Sequence, residues 1–394
     1  LFKITNSVLI FDEIQSYKNS IWKEIITFLN HYSKILNIKI IIMSATLPNL
    51  CKLSNTDIDY VDLILDTDKF YQNSIFKNRV KPDYSLMKYK ENVEEELLNH
   101  VLETSKIEDV NILIEFITKR SAKQFYESLK KLDINKTKML LTGEDSSYER
   151  NRIVEKFKKD KNIILVATQI IEAGIDLDAD VGYKDISMID SEEQFAGRIN
   201  RNFKNIDNQG IMYFFKLDDA SVIYKGDVRK EKSYTLENEY MRKLYEDKNF
   251  KEYYEKIMNY LNKEDNEFEK FFEKSVNTLN FKGIEKHMNL IDENYEYSIF
   301  FNRTLKISED KTLIGEKVWD KYVELLEDKE FDYSQKRVRL FNASTDMSHF
   351  TYKVKYTGFA YEKRIGDLFY IHDGEKYFED GKFNRQAFDG ELFL

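Results

Sequence analysis

Residues 8–13 read Val8-Leu9-Ile10-Phe11-Asp12-Glu13, four apolar positions followed by two carboxylates. An apolar run of that length ending abruptly in charge is the pattern of a buried strand whose tip meets solvent or a ligand. Ile21, Ile25, Phe28, Leu29, Tyr32 and Leu36 then recur at helical spacing between Asn19 and Leu36, and Ile38 to Met43 is a second apolar run. Strand, helix, strand is the unit of a parallel sheet covered on both faces.

Outward from that unit the alternation continues past Pro82. Strands are predicted at Asn111 to Phe116, Lys138 to Leu141, Ile163 to Ala167 and Ile211 to Phe215, with helices at Lys119 to Leu132, Ser146 to Lys159 and Ser191 to Arg201. Repeated βα units of this length specify a doubly wound parallel sheet. A charged, helix-rich stretch runs from about Glu231 to Lys286, and strand-like aromatic alternation follows at Tyr295 to Phe301 and Phe350 to Tyr356. The expected organisation is therefore an incomplete first sheet domain in residues 1–75 and a second in 76–220. A helical linker in 221–290 and a smaller α+β domain in 291–394 complete it.

The 394 residues suffice for several hydrophobic cores. Their net charge of -9 leaves no general basic coat, so a nucleic-acid site has to be a local channel. A single cysteine, Cys51, makes no internal disulfide and fits a reducing cytoplasm. No apolar run is long enough to span a bilayer, so no membrane partner is expected. The first residue is Leu1, placed just before a strand, and the chain reads as the rear portion of a longer one.

Four segments carry chemistry. Asp12-Glu13 stands at a strand's carboxyl end, where ligands of parallel sheets collect; one carboxylate there can hold Mg²⁺ while its neighbour orients a water. Ser44-Ala45-Thr46 ends the next strand and can relay hydrogen bonds. Thr168 closes a third strand, with Gly174 and Asp176 in the loop beyond it. Gln194, Arg198 and Arg201 are spaced i, i+4, i+7 and would share one helix face, where two guanidiniums suit a triphosphate. Each alone has an ordinary reading: a solvated strand end, a helix cap, a turn, a basic surface.

In order, these segments resemble motifs II, III, V and VI of superfamily 2 helicases. Ser44-Ala-Thr-Leu-Pro48, the stretch from Ala167 to Asp180 and Gln194-Phe-Ala-Gly-Arg-Ile-Asn-Arg201 look like the helicase portion of the type I CRISPR-associated helicase-nuclease. Leu279 to Ile291 and Tyr297 to Phe301 are similar to the approach to that family's C-terminal domain. The resemblance implies two RecA-like sheets, the first incomplete. It implies ATP as substrate, with Asp12 holding Mg²⁺, Glu13 activating water and Ser44 and Thr46 coupling hydrolysis to movement. Gly174 and Asp176 would face the nucleotide, and Gln194, Arg198 and Arg201 would contact the γ-phosphate. Thr118, Thr142, Gly143 and Thr168 would grip single-stranded DNA, and an RNA-guided CRISPR surveillance complex would be the partner.

The sequence departs from the family in two places. No Gly-x-x-x-x-Gly-Lys-Ser/Thr run occurs, so the phosphate loop is expected upstream of Leu1. The five histidines, His31, His100, His287, His349 and His372, are scattered, and His372-Asp373 reads as structural, so no nuclease centre is expected here. Two other readings remain: a non-catalytic module binding DNA or a partner protein, and a restriction or repair helicase of the same superfamily.

Overall fold

The opening apolar run forms strand β1 (Val8–Phe11), helix Trp22–Ile35 follows, and β2 (Lys39–Ile42) returns parallel to β1 with Val8 opposite Lys39 and Phe11 opposite Ile42. The helix buries Trp22, Ile25, Ile26 and Leu29 on one stripe, which is what the sequence spacing requires. This computed structural model describes residues 4–46, 48–54, 58–172, 174–203, 209–264, 266–288, 296–354, 358–379 and 381–390. Leu47 and Ala173 of the motif-like segments lie outside the described residues. So do Asn289 to Ile291, Tyr295, Lys355 and Tyr356 of the expected C-terminal elements. The chain divides into two units, Leu1–Leu140 with Lys161–Asp292, and Leu141–Asp160 with Glu293–Leu394.

The first unit is built on a second sheet comprising β3 (Val80–Asp83), β4 (Ile112–Phe116), β5 (Thr137–Leu141), β6 (Ile163–Thr168), β7 (Val181–Asp185) and β8 (Gly210–Phe215). Its order is β3-β8-β7-β4-β6-β5, and the β3–β8, β8–β7, β7–β4 and β4–β6 pairings are parallel. The central strands β4, β6 and β7 are buried along their whole length. Within this sheet, strands β3 and β7 and one covering helix go beyond the sequence expectation. Pro82 lies inside β3 rather than at a boundary, tolerated because β3 is an edge strand. β7 escapes pattern reading because Lys184 and Asp185 interrupt its apolar run although both are fully buried. Helix Val93–Ser105 covers the sheet with Leu97, Val101 and Thr104. Helices Glu239–Glu246, Phe250–Glu264, Asn266–Asn277 and Phe281–His287 follow.

The second unit is α+β. It contains β9 (Tyr297–Phe301), the hairpin β10 (Thr304–Lys306) and β11 (Thr312–Ile314), then β12 (Thr351–Val354), β13 (Lys363–Ile365) and β14 (Leu368–Ile371). The main sheet runs β12-β9-β14-β13, with β9 and β14 parallel and the other pairs antiparallel. Period-two alternation sends Ile299, Phe301, Tyr352 and Ile371 into one aromatic core, and Phe300 and Tyr370 into another beside Trp319 and Met347. Helix Ser147–Lys159 belongs to this unit; Tyr352 donates to Ser146 Oγ at 3.0 Å, and Ser147 Oγ lies 3.0 Å from His349 Nδ1. His372-Asp373 is in the turn after β14, where His372 N–H donates to Glu362.

Candidate functional site

Asp12 and Glu13 stand at the carboxyl end of β1, as the strand pattern requires. The sharp exit puts Glu13 in the left-handed region, φ 53° and ψ 46°, where a non-glycine residue is strained by about 1 kcal/mol or more. Its N–H donates to Asp12 Oδ1 at 3.0 Å, which helps hold that turn. The Glu13 carboxylate is then claimed from two directions. Gln15 Nε2 donates to Oε2, and Gln194 Nε2 reaches the same oxygen at 3.0 Å from 181 residues away. Asp12 is exposed.

Gln194 sits on helix Ile189–Ala196, and here the expected Ser191 to Arg201 helix needs correction. The helix stops at Gly197, where a Cβ would come within 3.0 Å of the Gln194 carbonyl oxygen. The chain then turns into extended pairing: Ile199 bridges Ala179, with Ala179 N–H bonded to Arg198 O at 2.9 Å and Asn200 N–H to Ala179 O at 2.8 Å. Arg198 and Arg201 therefore do not share a helix face with Gln194, because this backbone pairing outweighs a helical continuation. Both arginines are held instead on the loop after β6. Arg198 Nε and Nη2 donate to the carbonyls of Ile171 and Glu172 at 2.9 and 2.6 Å, and Arg201 pairs with Asp176 at 3.2 Å. Burial and the neighbouring Arg201 charge lower the Arg198 pKa, while Asp176, Glu172 and Glu13 oppose that shift. Gly174 takes φ 71° with open space around its Cβ position, so conformation, not crowding, requires glycine there.

Thr46 is buried, and its hydroxyl donates to Asp190 Oδ1 at 2.7 Å, at the start of the Gln194 helix. Ser44 Oγ accepts from Thr46 N–H at 3.2 Å. Thr118 caps helix Lys119–Lys130 through Ser121 N–H at 3.1 Å, and its own N–H donates to Asp218. Thr168 ends β6 with 5% exposure. Thr142 and Gly143 fall in the second unit, where Thr142 Oγ1 donates to Asp145 at 3.2 Å. The structure thus brings Glu13, Gln194 and Thr46 into one hydrogen-bonded region and gathers Gly174, Asp176, Arg198 and Arg201 in another.

Beneath the loop after β6 lies a charged cluster that pattern reading misses. Lys184, fully buried, contacts Glu115 at 2.5 Å, Glu172 at 3.4 Å and Glu192 at 3.6 Å. Ser191 Oγ also donates to Glu172. Burial disfavours the ammonium, but Glu115, Glu192 and Glu172 outweigh it and lift Lys184 above the usual lysine range. Burial pushes Glu115 well up and Glu192 up to about 7. The signal that marks this cluster in sequence is a charge inside an apolar strand, Glu115 within Ile112–Phe116 and Lys184 within Val181–Asp185. Among the described residues no group of three or more His, Cys, Asp or Glu could hold a metal ion.

Known proteins resemble this chain in sequence and in fold. Residues 108–204 match the family described as CRISPR-associated nuclease/helicase Cas3, C-terminal. A CRISPR-associated nuclease/helicase Cas3 of Methanocaldococcus jannaschii is 28% identical over 229 residues, 55% of this chain and 30% of that protein. The crystal structure of T. fusca Cas3 with AMPPNP aligns at TM-score 0.56 and 14% identity, covering 93% of this chain and 50% of that one. A chain in a CRISPR RNA-guided surveillance complex, in a pre-nicking state, aligns at TM-score 0.52 and 14% identity over 92% of this chain and 53% of that one. The chain thus spans about half or less of the proteins it resembles, and the structural likeness at this identity speaks for the fold.

Proposed function

We propose that this chain, whose residues 108–204 match the C-terminal family of CRISPR-associated nuclease/helicase Cas3 and whose fold aligns with Cas3, is the rear part of a superfamily 2 helicase and supplies half of an ATP-hydrolysing, single-stranded-DNA translocase acting in CRISPR interference in the cytoplasm. The observation that carries this reading is the 3.0 Å hydrogen bond from Gln194 to Glu13, which joins the tip of β1 to a helix of the six-stranded sheet. A nucleotide bound at that seam meets a carboxylate from one sheet and an amide from the other.

Glu13 is the group that orients and deprotonates the attacking water, and Gln194 fixes its carboxylate in the interval before substrate arrives. Arg198 and Arg201, parked on the loop after β6, are the cations that face the γ-phosphate when the seam closes on nucleotide, with Gly174 and Asp176 shaping that loop. The exposed Asp12 fits a Mg²⁺ ion that arrives with the phosphates and keeps several waters, since such an ion needs only one or two protein carboxylates. That ion would neutralise phosphate charge. The β-phosphate cradle, for which these residues hold no glycine-rich run, is supplied by another segment in this reading; β1 exposes Val8 and Ile10, and Met43 just past β2 is exposed too, apolar surface that a fuller sheet buries. Of the expected DNA-backbone contacts, half-buried Thr118 and exposed Gly143, each within its own unit, keep that role in this reading, whereas Thr168 and Thr142 are buried and act from beneath the surface; an RNA-guided surveillance complex is the recruiting partner.

The test joins this chain to a RecA-type half-domain carrying a phosphate loop and measures ATP hydrolysis with and without single-stranded DNA. DNA-stimulated turnover is expected, and Glu13→Gln should lower kcat by about 10²-fold or more. Parental turnover in Glu13→Gln would end the reading.

A further inference from the structure

Arg229 lies in a short turn after β8, in the segment read from sequence as a mere linker, yet its side chain is only 2% exposed. An isolated guanidinium does not stay buried, so its partners define what it does. Nη2 and Nε pair with Asp227 at 2.6 and 3.0 Å, and Nη1 reaches Asp190 at 3.0 Å. The guanidinium also stands 4.9 Å from the centre of the Trp22 ring, on the helix that follows β1. Asp227 takes a further bond from Asn19 at 2.7 Å. Asp190 accepts from Arg229, from the Thr46 hydroxyl at 2.7 Å and from Tyr254.

These contacts meet in one place. Asn19, Trp22 and Thr46 come from the β1–β2 layer, while Asp190 begins the helix that carries Gln194 one turn later. The described interactions of Arg229 thus tie the first layer to the second through the element that presents Gln194 to Glu13.

We propose that Arg229 and Asp190 form a buried clasp that sets the register between the two sheets and so positions Gln194 against Glu13, with Thr46 as the coupling segment's attachment to it. Arg229 is a positioning residue: it touches neither substrate nor reacting atoms. The proposal rests on the seam being the nucleotide site, but the clasp itself can be tested without nucleotide.

The experiment is hydrogen exchange by mass spectrometry on the full chain, together with Trp22 fluorescence in a Trp319→Phe background. Arg229→Met and Asp190→Asn should each speed exchange in residues 14–36 and 48–53 at least tenfold. Peptides from β4 and β6 should stay within twofold of the parent, and the double variant should be no faster than the faster single one. Trp22 emission should shift in Arg229→Met. Thr46→Val, which keeps the side-chain volume, should give a smaller increase confined to 48–53, and it serves if Arg229→Met does not fold. Additive single effects, uniform acceleration across both sheets, or an unaltered profile in Thr46→Val and Asp190→Asn would each overturn the clasp. Failure of the proposed function shows elsewhere, as nucleotide turnover insensitive to Glu13→Gln with the exchange pattern intact.

Discussion

The two units bury their centres equally well and by different physics. Around Lys184 and Arg229 the first unit holds charged side chains together through directional contacts at 2.5–3.6 Å. Around Phe300 and Phe301 the second unit stacks rings, with Phe300 at 5.3 Å from Trp319 and 5.7 Å from Tyr370 between ring centres. Aromatic packing fills volume and tolerates small adjustments. A buried ion cluster contributes little net stability but fixes where its members stand, and losing one partner strands the rest. The charged centre underlies the loop after β6 whose carbonyls hold Arg198, and the aromatic centre builds a domain.

The largest expected effect comes from Lys184→Met, which leaves three carboxylates around a vacated cation site. Unfolding in urea should show a loss of about 3–5 kcal/mol. A loss under about 1 kcal/mol would mean the cluster is neutral in the native protein and the contrast with the aromatic unit is false.

Proton linkage should separate the two centres next. Burial pushes Asp185 up to about 8 and Glu192 up to about 7. Their folded pKa values lie above the unfolded ones, so the folded state binds more protons between about pH 4 and 8. The stability they contribute is complete below the unfolded pKa and declines as pH rises through 7 and 8. A drop of up to about 5 kcal/mol between pH 5.5 and 8 follows from the two shifts together, with Asp185→Asn removing the larger part of it. Burial also raises Glu149 of the second unit to about 7, so Glu149→Gln should remove a smaller share.

Trimming the aromatic centre comes third. Trp319→Phe keeps a ring beside Phe300 and Tyr370 and should lower stability by about 1–2 kcal/mol at every pH in that range. A pH-dependent loss would show that this core too is electrostatic. Smallest is Lys156→Ala, which removes an exposed pair with Asp160 on the helix surface; the urea midpoint should move by less than about 0.5 kcal/mol equivalent.

Much of the fold was legible from local pattern. Ile112–Phe116 and Ile163–Thr168 are apolar runs that become fully buried strands, and Ile21 to Leu36 repeats at the helical period; Val8–Phe11 is a strand as its pattern requires, but it is not buried, alternating exposed and half-buried positions. The candidate residues at strand tips, Asp12, Glu13, Ser44, Thr46 and Thr168, were legible for the same reason, since a parallel sheet presents its carboxyl ends to one crevice. β7 was hidden because a buried lysine and aspartate imitate a loop, and the Gly197 break was hidden because Gln194 to Arg201 has unbroken helical spacing.

The sequence alone determined most of the strands and helices with unbroken apolar periodicity, and the functional groups at their ends, because those follow from pattern over a few residues; β7 and the helix stop at Gly197 did not. Only the tertiary structure decided that Gln194 meets Glu13, that Thr46 meets Asp190 and that Arg229 closes over Trp22. Contacts spanning about 40 to 200 residues leave no periodic trace. They depend on how two twisted sheets settle against each other, and a buried charge becomes intelligible only when its partner arrives from the other side.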